Sequence, residues 1–378
     1  MRTGIATIPL DTGQCPKWLF ERMRRLAKGI TIAIIDEFGS KEMLKRLSDP
    51  VWFQSFSSVM GWDWNSSGAT PVALAALKDG IKGLENELGI FICGGKGKTS
   101  KKTPEQIKDW GEFLHLSLEK IDNLIYTSRI SAKVDSALIQ DNFQIYHHNF
   151  IFDKTGNWTV VQQGMNTGLQ KARRYHWLSS GVKDFITQPH SGIISDVFLK
   201  PLNLTAKESD KNREISLSLA KDEPKGFLKD FYKIIDRKDL LVKQKRFDNF
   251  TELELIDREF HWHPVVNEKF DLKRLRRTIF FIKSRNPVNF EELLSFEGVG
   301  PKTIRALSLV SEIIYGAKPS YTDPARYSFS VGGKDGTPYF VRRDIYDRML
   351  DVIEKGIKKS NVTIKEKQEA LERLNNIC

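Results

Sequence analysis

Between residues 292 and 323 two apolar helical runs are interrupted by Gly298-Val299-Gly300-Pro301, and this interruption limits the local fold more than any other stretch of the chain. Leu293, Leu294 and Phe296 lie before it. After it Ile304, Leu307, Leu309, Val310, Ile313 and Ile314 recur at three- and four-residue spacing and make one core-facing stripe. Pro301 suits the first turn of a helix, where its missing N–H costs nothing, and Gly316 suits the end of one. A chain that reverses this sharply needs positive φ, which glycine reaches without a Cβ penalty. The stretch therefore reads as helix, tight turn, helix, with Val299 at the tip closing onto the stripe. N–H groups in a first helical turn have no carbonyl to reach inside the helix, so the turn and Lys302-Thr303 present an anion site.

These residues resemble the helix-hairpin-helix motif of the DNA glycosylase superfamily that includes endonuclease III. Phe296 to Thr303 match the motif in order, with Phe296 in place of its leucine and Ile304 where alanine is usual. Lys302 falls on the position of the lysine nucleophile in members that also cut the backbone, and Asp323 falls where their aspartate is expected. The span to Asp323 is longer than in endonuclease III, and Thr322-Asp323-Pro324-Ala325 replaces the usual Val-Asp-Thr-His. No run of closely spaced cysteines follows, so the iron–sulfur cluster of some relatives is not implied.

The resemblance implies a base-excision DNA repair enzyme, a DNA glycosylase with AP-lyase activity, with no cofactor and no metal. Gly298, Val299, Gly300 and Thr303 would hold DNA phosphate. Lys302, favoured in its neutral form by the positive end of the helix dipole, would attack C1′ of a flipped-out nucleotide. Asp323 would take the amine proton or stabilise the sugar cation, and the Schiff base would permit β-elimination. The alternative is a non-catalytic or structure-specific DNA-binding protein in which Lys302 is one more phosphate contact.

The balance of 59 Lys and Arg against 48 Asp and Glu, a net charge of +11, favours a polyanion partner such as damaged duplex DNA. Cys15, Cys93 and Cys378 lie too far apart for a disulfide framework or a zinc ribbon, which points to a reducing compartment. Apolar runs such as Ile30 to Ile35 are too short to cross a bilayer, and no charged segment followed by a long apolar run opens the chain. A cytoplasmic, nucleoid-associated protein is expected.

The expected fold is α+β and mostly α, in three parts: residues 1–131, mainly helical with a basic glycine-rich loop; 132–204, a strand-hairpin region; and 205–378, the helical hairpin-bearing part. In the first part Gly4 to Leu10 reads as a weak strand. A basic amphipathic helix begins near Trp18, its Lys17, Arg22, Arg24, Arg25 and Lys28 either facing phosphate or simply solvated. Val51 to Trp64 reads as aromatic core, Thr70-Pro71 opens a helix that runs to Gly89, and Ile90 to Cys93 is a buried strand. Gly94-Gly95-Lys96-Gly97-Lys98-Thr99-Ser100 follows. A P-loop would need glycine where Ile92 stands, so this loop either cradles nucleic-acid phosphate through Lys96 and Lys98 or is a flexible basic loop. A long helix is expected from Pro104 toward Ile130.

In the second part Phe143 to Phe152 and Trp158 to Gln163 read as strands joined by a turn at Asp153 to Asn157. Base-pocket candidates here are His147, His148, Gln162, Asn166, Tyr175 and His176, with Arg173 and Arg174 expected on phosphate. Alternation sends His147 and His148 to opposite faces, so at most one enters a shared pocket. The same residues would also make an internal polar layer. A metal-dependent DNA nuclease centred on His147, Gln162 and His176 is a third reading, poor in acids, with Asp135, Asp141 and Asp153 nearest. His261 and His263 share a face and would bind a transition metal only with a third ligand.

In the third part Thr205 to Leu219 and Phe227 to Ile235 read as amphipathic helices, Arg237 to Arg246 and Leu272 to Ser284 as basic runs. Ser330 to Tyr339 reads as a glycine-rich loop beside the active site, and Arg342 to Lys358 and Lys365 to Asn375 as closing helices. Taken whole, the chain resembles an archaeal and thermophilic-bacterial family of unknown function. The resemblance runs through Gly94 to Gly97, the His147-His148 strand, Val161 to Asn166, Ala172 to Trp177 and Asp323 to Tyr327, and it implies little about activity.

Overall fold

Phe91-Ile92-Cys93 and Phe150-Ile151-Phe152 are apolar at successive positions, so strands made of them have no face to give to water. A computed structural model describes residues 15–62, 66–244, 270–325, 351, 353–360 and 362–375. In it these two stretches pair antiparallel as β1 (Ile90–Lys96) and β3 (Gln144–Asp153), with Phe91 opposite Phe152. The sheet continues through β4 (Trp158–Asn166), β5 (Lys171–Leu178) and β6 (His190–Ile194), in the order β1-β3-β4-β5-β6. A second, two-stranded sheet joins β2 (Ile139–Gln140) to β7 (Leu202–Asn203).

Helices cover both faces of the larger sheet. On one face Ile90, Ile92, Ile151 and Val161 pack with α1 (Lys17–Phe38), α2 (Ser40–Leu47), α3 (Pro50–Val59) and α4 (Ala69–Gly80). The helix at 353–359 and the last described helix (Ile364–Asn375) join this layer through Ile353, Ile357 and Leu374. On the other face Phe91, Cys93, Phe150, Phe152, Val160 and Trp177 pack with α6 (Thr103–Phe113), α7 (Leu118–Ala137) and the helices that follow β7. Those are α8 (Asp210–Lys221), α9 (Pro224–Gln244), α10 (Leu272–Arg285), α11 (Phe290–Ser295) and α12 (Pro301–Ile313). Each large apolar side chain buried this way stabilises the layers by roughly 1.5–3 kcal/mol. The protein is thus α+β and mostly α, as expected, but its sheet takes its first strand from before residue 131.

Several expected elements differ in extent. The helix expected from Pro104 to Ile130 is two helices: His115 takes a positive φ of 54° and Ser117 caps α7 by accepting the Lys120 N–H at 3.3 Å. The helix expected to reach Gly89 stops at Gly80, and a short α5 (Glu85–Leu88) follows Gly83, whose φ is +86°. Strand β1 runs on to Lys96, so the basic glycine-rich stretch is partly sheet, followed by a 3-10 turn at Gly97–Lys102. Gly94 needs to be glycine: its φ is +88°, and a Cβ there would lie 2.2 Å from the His148 carbonyl oxygen. The Asp153–Asn157 turn forms, with the Asp153 carboxylate accepting the N–H groups of Thr155 and Asn157 at 2.9 and 3.0 Å. In α1, Arg24 pairs with Glu21 and Asp79, and Arg22 and Arg25 pair with Glu366, so part of the basic face is engaged in ion pairs at the surface.

The Gly4–Leu10 strand, Trp64, His261 and His263, and the Ser330–Tyr339 loop lie outside the described residues. Among the described residues no helix is long and apolar enough to cross a membrane.

Candidate functional site

The turn at 298–301 is built by two different requirements. Gly298 has a φ of +83°, which favours glycine, and Val299 is buried beneath it. Gly300 caps α12 in extended conformation, φ −141° and ψ −170°, and a Cβ there would meet nothing within 4 Å. Neither backbone nor packing asks for glycine at 300; its bare surface faces the open side of the turn.

Three side chains hold this turn against α7 and β2. Lys133 donates to the carbonyls of Leu294, Ser295 and Phe296 at 2.8, 3.1 and 2.5 Å, closing the C-terminus of α11 where a cation opposes the helix dipole. Burial lowers its amine from the usual range. Gln140 donates to the Pro301 carbonyl at 2.9 Å and accepts from Arg305 on α12. Tyr126 donates to Glu291 at 2.6 Å.

A cleft of about 890 Å³ opens beside the turn. Its walls are Gly298 and Gly300 to Thr303, Ser100 and Lys101 of the 3-10 turn, Ser128, Arg129, Lys133 and Ser136 of α7, Asp271 and Arg274 at the start of α10, and residues 139–145. Six lysines and arginines line it (Lys101, Arg129, Lys133, Arg274, Lys302, Arg305) against two aspartates. Both aspartates are engaged: Asp271 caps α10 by accepting the Arg274 N–H at 2.9 Å, and Asp141 pairs with Arg173 at 2.7 Å. The cleft therefore carries a positive field that draws anions.

One part of its wall is neutral and polar. Ser128 Oγ lies 2.9 Å from His148 Nε2, and His148 Nδ1 lies 2.8 Å from Gln162 Oε1. Gln162 Nε2 donates to Asp135 and, at 3.2 Å, to the Ser131 carbonyl. Asp135 also accepts from Trp177 Nε1 at 3.0 Å and from His190. Burial holds the His148 imidazole below its usual pKa, against the hydrogen bond to Gln162.

Of the residues expected to act together, Gly298, Gly300, Lys302, Thr303 and His148 line this cleft and Gln162 stands directly behind His148. Lys96 and Lys98 are exposed but do not line it; their neighbours Ser100 and Lys101 do. Asp323 lines a separate cleft of about 620 Å³, where it accepts from Arg173 at 2.8 Å and from the Leu199 N–H at 2.7 Å. Lys302 and Asp323 are thus not brought into one cavity.

Arg173 and Arg174, expected on phosphate, are both inside the fold, because β5 is buried on both faces and alternation turns them to opposite sides. Arg173 bridges Asp141 and Asp323; burial opposes its charge, but these partners and Tyr175 outweigh burial and hold the guanidinium above its usual range. Arg174 has neutral partners: it donates to Gln54 at 2.8 Å, to Thr70 at 3.3 Å and to His176 at 2.9 Å, and lies over the Phe53 ring. Burial pulls it down to about 9.

The remaining base-pocket candidates also have internal roles or positions. Tyr175 donates to Asp141 at 3.1 Å, and Asn166 accepts the Leu169 N–H at 3.0 Å in a turn. His176 bonds the Leu47 carbonyl at 3.0 Å, and burial, with Arg174 beside it, holds it well below its usual pKa. His147 is buried on the α1–α4 face with neither ring nitrogen bonded, and burial drops it to about 3. Since Gln162 faces α7, the trio His147, Gln162 and His176 is divided by the sheet. Among the described residues no group of three or more His, Cys, Asp or Glu could hold a metal ion.

Reading the sequence passes over Ser128, Arg129, Lys133, Gln140 and Arg305. The one available signal is on α7, where Ser128, Ser131 and Asp135 recur at helical spacing within a stripe otherwise filled by Leu124, Ile130 and Val134. No curated protein and no solved structure matches the chain. Residues 4–341 match the family described as "Protein of unknown function (DUF763)", and the chain belongs to that family.

Proposed function

We propose that the protein binds DNA, holding the sugar–phosphate backbone in the cleft between α7, α10 and α12 with the glycine turn as its phosphate grip. The observation that carries this reading is the convergence on one cleft of six cationic side chains, the turn and the start of α12. Phosphate oxygens are recognised by that combination of charge and backbone N–H. Gly300 fits the same reading, since a residue required neither by φ nor by packing is explained by a ligand that approaches the backbone closely.

A second reading, glycosylase with AP-lyase activity, is favoured by Lys302 lining the cleft, where the sugar of an extruded nucleotide would meet its amine. In that reading Asp323 keeps its structural task with Arg173, and base loss draws on another group.

Fluorescence anisotropy with a short duplex at low salt tests the first reading. Tight binding is expected, weakened at least tenfold by Gly300→Val with the melting temperature unchanged; absence of binding overturns it. Borohydride treatment on an abasic duplex tests the second. A covalent adduct that disappears in Lys302→Ala supports it, and binding without adduct leaves the grip alone.

A further inference from the structure

The polar wall of the cleft has a fixed hydrogen-bond direction. Gln162 can be placed only one way: its amide nitrogen faces two acceptors, the Asp135 carboxylate and the Ser131 carbonyl, so its oxygen must face His148. An oxygen there can only accept, which puts the imidazole proton on Nδ1. Nε2 is then a bare lone pair, and the donor within its reach is the Ser128 hydroxyl, 2.9 Å away. Donation therefore runs in one direction, Ser128 to His148 to Gln162 to Asp135. The far end is locked, because Asp135 is fully buried and also receives Trp177 and His190. The near end reaches the cleft, since Ser128 and His148 both line it.

A serine whose proton points at a neutral imidazole, itself oriented by a buried amide and carboxylate, is arranged for nucleophilic attack. Nothing about helix packing requires it: Ser136, on the same helix and the same cleft, returns its hydroxyl to the Ala132 carbonyl at 2.8 Å. We propose that Ser128 is a nucleophile, activated by His148, that attacks a phosphodiester held in the cleft. The choice of phosphodiester rests on the DNA-binding reading above; the activation of Ser128 does not.

In the step, the Ser128 Oγ–P bond forms and the P–O bond to one sugar oxygen breaks. The Oγ proton passes to His148 Nε2, and the departing sugar oxygen, in line on the far side of phosphorus, takes a proton from water in the cleft, leaving a free hydroxyl and a serine phosphodiester. Water then attacks phosphorus from the side the sugar oxygen left, its proton passing to solvent, and Ser128 leaves with the proton returned by His148. Lys101, Arg129 and Arg274 neutralise the non-bridging oxygens. Gln162 is a positioning residue, which touches His148 and not the cleft.

The test is labelling of the full chain by a fluorophosphonate, which reacts with activated serines, read by peptide mass spectrometry. Ser128 is expected to label at least tenfold faster than Ser136, with the label absent in Ser128→Ala and reduced at least tenfold in His148→Gln and in Gln162→Leu. Melting temperatures and duplex anisotropy are measured for each variant. Because Gln162→Leu leaves the cleft lining intact, unchanged DNA affinity with abolished labelling supports the relay. Equal or absent labelling of Ser128 with intact DNA binding overturns the nucleophile and leaves the cleft reading standing. Labelling of Ser128 that a saturating duplex does not slow overturns the phosphodiester assignment.

Discussion

Gly298 and Gly300 stand two positions apart and meet different demands. The positive φ of Gly298 means that Gly298→Ala should lower stability by about 1–2 kcal/mol, seen as a lower urea midpoint. Gly300→Ala should leave the midpoint within experimental error, because its φ is ordinary and its Cβ meets open space. The reverse pattern would mean that the turn is built differently. The buried histidines set a second expectation at this scale. His147, His148 and His176 are held neutral by burial, with folded pKa values below the ordinary 6.5 and His147 near 3. Below pH 6.5 the unfolded chain takes up protons that the native chain refuses. Their stabilisation is therefore fully present above about pH 6.5 and is lost as pH falls below it, down to about 3 for His147, at up to ~1.4 kcal/mol per pH unit for each histidine. His147→Leu removes one such group and its unbonded nitrogens, so it should raise the urea midpoint more at pH 5 than at pH 7. An equal gain at both would contradict the burial argument.

At the level of elements, α11 and α12 are legible in the sequence because a single apolar stripe and a glycine–proline turn agree on them. What α7 does is not legible. Lys133 reads as one more surface cation, yet it closes α11 through three carbonyls. Lys133→Met should cost on the order of 2 kcal/mol and raise hydrogen exchange first in α11 and the turn. Uniform exchange across the chain would show that the turn does not depend on α7. Strand β5 is hidden for a related reason. Ala172-Arg173-Arg174-Tyr175-His176 has the composition of a surface strand, and partners from distant segments, among them Asp141, Asp323, Gln54 and Thr70, allow both arginines inside. The break between α6 and α7 rests on the positive φ of His115, which no pattern of apolar residues signals.

Across the whole molecule, the net charge of +11 and the glycine turn point to an anion in the sequence alone, and the structure gathers part of that charge on one cleft. The hairpin half of the candidate site was readable, because helix and turn signals are local. Of the wall that faces it His148 was readable, but its neighbours Ser128 and Arg129 were not: Lys101, Ser128, Arg129 and His148 come from three segments joined by the pairing of β1 with β3 and the packing of α7 on the sheet. Asp323, read as a partner of Lys302, instead joins the second cleft to β5 through Arg173. The most direct test of the cleft as a phosphate site is the salt dependence of duplex affinity in the unaltered protein and in a Lys101→Gln/Arg129→Gln/Arg274→Gln variant. Every cation that neutralises a phosphate adds about 0.9 to the log–log slope, so the triple variant should be shallower by roughly 2 to 3. Binding with an unchanged slope, or no salt-dependent binding at all, would contradict it.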